Sequence, residues 1–111
     1  MRDEADPAEA FIAESADLPT LDREGRRELL RQARDGDANA RREYVYALSH
    51  QTAICALSAR PAWLQRIEAI QEGIIVLLSL LDDPLVEDPE RVLTERVIDD
   101  LQSLPRPRGS L

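Results

Sequence analysis

The chain has 111 residues, enough for one folded domain and too few for two that each bury a core. Hydrophobic residues at 43% and charged residues at 32% exclude a disordered tail, while 4% aromatics and only 4 glycines argue against a β-sandwich or barrel. A net charge of −8 argues against a stand-alone duplex-DNA binder, because non-specific DNA affinity comes mostly from neutralised phosphates.

Asp6-Pro7 predicts a helix N-cap followed by Pro at the first helical position. That helix runs to about Ala16 with Phe11 and Ile12 on a short apolar face, and Leu18-Pro19-Thr20 breaks it. A second helix is predicted from a cap near Asp22 to a stop at Gly36, with Leu29, Leu30 and Ala33 as a thin apolar face and Gly25 as a mild weakness. Asp37 caps a third, longer helix to about Ser58. Its apolar positions Tyr44, Val45, Leu48, Thr52, Cys55 and Ala56 recur at helical spacing.

Arg60-Pro61 ends the third helix, and Pro61 is predicted to open a fourth over about 62–81. This is the most apolar segment, with Trp63, Leu64, Ile67, Ile70, Ile74, Ile75, Leu77, Leu78 and Leu81. In its second half the apolar positions cover more than one face. It is therefore either the central core helix or a helix with an adhesive outer side. Asp82-Asp83-Pro84 stops it, and Asp88-Pro89 opens a fifth helix to about Ser103 with Leu93, Val97, Leu101 and Leu104 in one stripe. The expected fold class is all-α, a compact bundle of four to five helices forming a single domain over 1–104, with 105–111 as a frayed tail.

The longest strongly apolar run, Gly73 to Leu81, is far short of the roughly 20 residues of a membrane span. The first residues, Met1-Arg2-Asp3-Glu4, lack the apolar core of a signal peptide. Cys55 is the one cysteine and has no internal disulfide partner, so a cytoplasmic location is expected. Charge is unevenly spread: residues 23–42 hold seven Arg and four acids, whereas residues 82–100 hold eight acids and two Arg. The Arg-rich stretch reads as a solvated helix face laced with i,i+4 pairs, beside a local nucleic-acid reading.

Convergent catalytic chemistry is not evident. His50 and Cys55 are five positions apart, about 140° past one helical turn, so they form neither a nucleophile pair nor half a zinc site. His50 reads as a surface or boundary residue and Cys55 as a small core residue. No HExxH, Walker A or GxGxxG pattern occurs, and Asp82-Asp83 and Asp99-Asp100 lack the spacing of a calcium loop. A binding protein is expected, not an enzyme, with no catalytic residues, no metal, no cofactor and no small-molecule substrate.

Two stretches resemble the sigma-70 family of bacterial transcription initiation factors. Leu18 to Glu43 is similar to the passage that joins the family's first conserved region to its second, with its Leu-Asp-Arg-Glu, Glu-Leu-Leu-Arg and Gly-Asp-Ala-Asn-Ala-Arg elements. Ile67-Glu-Ala-Ile-Gln-Glu-Gly-Ile-Ile-Val-Leu-Leu78 resembles the family's Leu-Asp-Leu-Ile-Gln-Glu-Gly-Asn-Ile-Gly-Leu-Met, with the Ile-Gln-Glu-Gly core intact from Ile70 to Gly73. The resemblance spans roughly residues 6–81 and implies the N-terminal part of a region-two domain. The family's Gln-Glu-Gly helix docks on the clamp coiled coil of the largest RNA polymerase subunit. By resemblance, Glu68, Gln71, Glu72 and Leu78 fall on its docking positions, with Ile74 in place of an Asn.

Residue chemistry agrees with that implication, because Glu68 and Glu72 at i,i+4 share a helix face that suits a basic, partly apolar partner. Gly73 inside an apolar helix costs about 1 kcal/mol relative to Ala, and close approach of a neighbouring helix would account for it. The departures are equally specific. Leu48-Ser-His-Gln-Thr52 stands where the family has an Asn-Leu-Arg-Leu-Val type motif, and no aromatic follows Trp63 where the family captures promoter bases. The expected function is a sigma-like module, truncated before the promoter-melting segment, that binds the polymerase core and modulates initiation. DNA contact would then be weak or confined to a complex. The alternative is a helical adaptor or anti-sigma-like regulator that pairs through the apolar fourth helix.

Overall fold

Aspartate side chains start the first three helices of the computed structural model, which describes residues 6–18 and 21–107. Asp6 accepts a hydrogen bond from the Ala8 N–H at 3.0 Å and opens α1 (Pro7–Ala16) with Pro7 at its first position. Asp22 accepts from the Gly25 N–H at 2.7 Å and opens α2 (Arg23–Arg34). Asp37 accepts from Asn39 and Ala40 and opens α3 (Ala38–Ala59). Between α2 and α3 the Gly36 N–H donates to the Ala33 carbonyl and the Asp37 N–H to the Gln32 carbonyl, a Schellman closure. It requires the positive φ of 103° that Gly36 adopts without a Cβ penalty.

The fourth helix starts later than the sequence predicts. α4 spans Arg66–Asp82, and Pro61 belongs to a turn closed by the Leu64 N–H to the Pro61 carbonyl. The Arg60 guanidinium donates to the Leu64 carbonyl and holds that turn. Helix begins only where the Gln65 N–H finds Glu68 Oε1 at 3.2 Å, the reciprocal half of a capping box. At the far end Arg34 of α2 donates to the carbonyls of Leu80, Leu81 and Asp83; those of Leu80 and Asp83 also accept from the Asp83 and Val86 N–H groups. α5 spans Pro89–Ser103; its N-cap Asp88 makes no side-chain cap bond and pairs with Arg23 instead. The predicted break at Pro19-Thr20 and the last four residues of the predicted tail lie outside the described residues.

The architecture is all-α, with five helices among the described residues and α3 packed against each of the other four. The main core joins Leu30 of α2, Tyr44, Leu48 and Ala56 of α3, Leu77, Leu80 and Leu81 of α4, and Leu93, Val97 and Leu101 of α5. Cys55 is only half-buried, at the margin of this core and not within it, because its helix position faces the α3/α5 groove. α1 rests on a separate small cluster of Ala8, Ala53 and Ile70, bordered by Phe11, Ile12, Leu57 and Ile74. Two polar contacts tie α1 down: the Asp6–Arg66 ion pair at 3.2 Å, and Ser15 Oγ to His50 Nδ1 at 3.0 Å. Among the described residues no helix is long and apolar enough to cross a membrane.

α3 and α4 meet along small side chains. A Cβ on Gly73 would lie 3.1 Å from Ala56 Cβ and 3.2 Å from Thr52 Cγ2, with the Thr52 carbonyl 3.6 Å away. Gly73 therefore stands where the backbones come closest, as the sequence leads one to expect. Thr52, fully buried in this seam, satisfies its hydroxyl on the Leu48 carbonyl at 2.7 Å.

Candidate functional site

α4 turns about 100° per residue, and its burial follows that period. Ala69, Ile70, Gly73, Leu77, Leu80 and Leu81 face inward, while Glu68, Gln71, Ile75, Ser79 and Asp82 form an exposed ridge on the opposite side. The Ile-Gln-Glu-Gly tetrapeptide is thus divided between two tasks. Ile70 and Gly73 build the fold, and Gln71 reaches solvent with Glu72 beside it.

The five residues singled out by sequence occupy different parts of this surface. Glu68 is exposed at the start of the ridge, where its carboxylate also completes the helix cap. Gln71 is exposed at mid-ridge. Leu78 is half-buried on one flank. Ile74, half-buried, borders the α1 cluster, so the fold uses much of its apolar surface internally. Glu72 lies half-buried on the other flank against Asp100 of α5. A hydrogen bond shared with the Asp100 carboxyl, together with burial and like charge, raises Glu72 above the usual carboxylate range. The two acids at i,i+4 therefore act separately: Glu68 faces water and Glu72 faces another acid.

Two further residues belong to this surface: Ile75, which the sequence places on the adhesive helix of the adaptor reading and not among the docking positions, and Asp100. Ile75 is 54% exposed in the middle of the ridge, the largest apolar group on it. Its signal was the apolar run that continues around the whole helix. Asp100 has one carboxylate oxygen buried without a hydrogen-bond partner among the described residues. Only its place in an acidic pair marked it.

Elsewhere, α3 and α5 enclose a groove of about 480 Å³ that includes Ile54, Cys55, Thr94 and Ile98. Burial raises the Cys55 thiol, which donates to the Thr94 carbonyl at 3.6 Å. Among the described residues no three His, Cys, Asp or Glu side chains converge to hold a metal ion. What α4 exposes is a carboxylate, an amide and an aliphatic side chain, Glu68, Gln71 and Ile75, set in line on one helix face. Compared with known proteins, the chain matches no family model, no curated protein and no solved structure.

Proposed function

We propose that this chain is a sigma-like docking module that binds the RNA polymerase core, at the clamp coiled coil of its largest subunit, and modulates transcription initiation in the bacterial cytoplasm. The observation that carries the reading is the division of residues 70–73. The apolar and small members are consumed by the α3/α4 seam, while Gln71 stays in solvent beside Glu68 and Ile75. A ridge of this kind meets a basic, partly apolar coiled coil through the charge of Glu68 at one end and the aliphatic anchor of Ile75. In this reading Leu78 and the exposed part of Ile74 extend the apolar contact, and the acid-rich α5 keeps the chain off DNA.

The test is co-purification with core polymerase. The wild-type chain binds, and the double variant Gln71→Ala with Glu72→Arg, shown folded by circular dichroism, does not. Undiminished binding by that folded variant removes the docking assignment. The exposure of Ile75 also favours a second reading, an adaptor or anti-sigma-like regulator that pairs through α4. An obligate dimer in sedimentation, broken by Ile75→Asp and without polymerase affinity, would select it.

A further inference from the structure

The arginines of α2 are only partly absorbed into pairs within the bundle. Arg31 is held by Glu28 and Asp35, Arg26 by Glu90 and Arg23 by Asp88, as a solvated, charge-paired face requires. Arg34 gives its donors to the neutral carbonyls at the end of α4, so it forms no direct pair with a carboxylate, although Asp82 feels its charge. Arg27, and Arg91 in the first turn of α5, are exposed and pair with no carboxylate among the described residues.

These three guanidiniums line one cleft of about 550 Å³ between α2 and the start of α5, with the apolar side chain of Leu30 also in its wall. Three acids line it too, but Asp35 and Asp88 are already paired with Arg31 and Arg23. Five arginines line the cleft against three acids, an excess of positive charge in a chain whose net charge is −8, and Arg27 and Arg91 have no carboxylate partner among the described residues. A local excess of this sign focuses anions at the cleft. The fully buried Tyr44 hydroxyl, without a hydrogen-bond partner among the described residues, lies among the charges of Glu90, Asp88, Arg34 and Arg26.

We propose that the α2/α5 cleft is a second interaction surface that takes carboxylate side chains of an acidic polypeptide segment, with Arg27 and Arg91 as their partners and Arg34 adding charge from the cleft wall. The planar guanidinium presents paired donors that match a carboxylate. A nucleic acid fits less well. The positive excess is confined to one cleft, and the eight acids of residues 82–100 repel a phosphate chain that runs beyond it. The cleft and the α4 ridge share no residue, so either assignment can fail alone.

The probe is a fluorescein-labelled hexaglutamate peptide, followed by anisotropy at low and physiological salt, with a short single-stranded oligonucleotide as competitor. The wild-type chain binds the peptide in a salt-sensitive manner. Arg27→Glu with Arg91→Glu weakens it by about tenfold or more, equivalent to about 1.4 kcal/mol. Both positions are exposed and unpaired, so the double variant keeps the fold, which circular dichroism checks. Amide shifts of the wild-type chain on titration with the peptide should centre on Arg27, Leu30, Arg34 and Arg91, independently of any variant. No binding by the wild-type chain, equal binding by the folded double variant, shifts centred elsewhere, or displacement by the oligonucleotide below stoichiometric peptide would each overturn the proposal.

Discussion

Glu72 is the residue at which stability and the proposed docking oppose one another. Its carboxyl meets that of Asp100, and the pair is comfortable only while one of them carries a proton. The folded state raises Glu72 above its unfolded value, so it holds more protons than the unfolded chain between those two values. Stability from this group is therefore complete below the usual carboxylate range and is lost as pH rises through the raised value. Glu72→Gln replaces the acid by an amide that donates to Asp100 at every pH. Thermal melts should show a higher Tm than wild type at neutral pH, and the difference should vanish in acid. A lower Tm at neutral pH would show that the two carboxyls do not repel one another in the folded state. In the polymerase pull-down the same substitution should weaken binding, since the partner is expected to be basic.

The α3/α4 seam sets how the ridge is presented. Gly73→Ala places a Cβ against Ala56 Cβ and Thr52 Cγ2, short side chains that cannot swing aside. Overpacking costs about 1–3 kcal/mol, and the better helix propensity of Ala returns about 1 kcal/mol. A net loss of about 1 kcal/mol is expected, read as a shift in urea midpoint with unchanged slope. Stabilisation would mean that the helices separate freely at this point. The elements themselves were largely legible, because Asp6, Asp22 and Asp37 are caps that act within three residues of their own position. Asp88-Pro89 marked the start of α5 even though Asp88 makes no side-chain cap bond. The start of α4 was misread because Pro61 suits a turn as well as a first helical residue. The signal that decided it, Gln65 with Glu68 three residues on, was present but weaker than proline.

At the scale of the molecule, what sequence left open is what depends on distant packing. The period of α4 separates inward from outward positions, yet it does not say which flank α1 covers and which α5 covers. Ile74 and Ile75 look alike in sequence and differ in the fold because α1 borders one of them. The pairing of Glu72 with Asp100 joins residues far apart in the chain, as does that of Arg23 with Asp88. The same distribution sets how a partner would be met. Free charge at the ridge comes from Glu68, because Asp82 is paired with Arg41; it acts at a distance and is screened over about 8 Å at physiological salt, whereas Ile75 acts only in contact. Docking on a basic coiled coil should therefore lose association rate as salt rises while its dissociation rate changes little. Ile75→Ala should do the reverse, raising the dissociation rate several-fold with little effect on association, as followed by surface plasmon resonance on immobilised core polymerase. Equal salt sensitivity in both rates, or an Ile75→Ala effect confined to association, would show that the acidic end and the aliphatic centre of the ridge do not divide the work in this way.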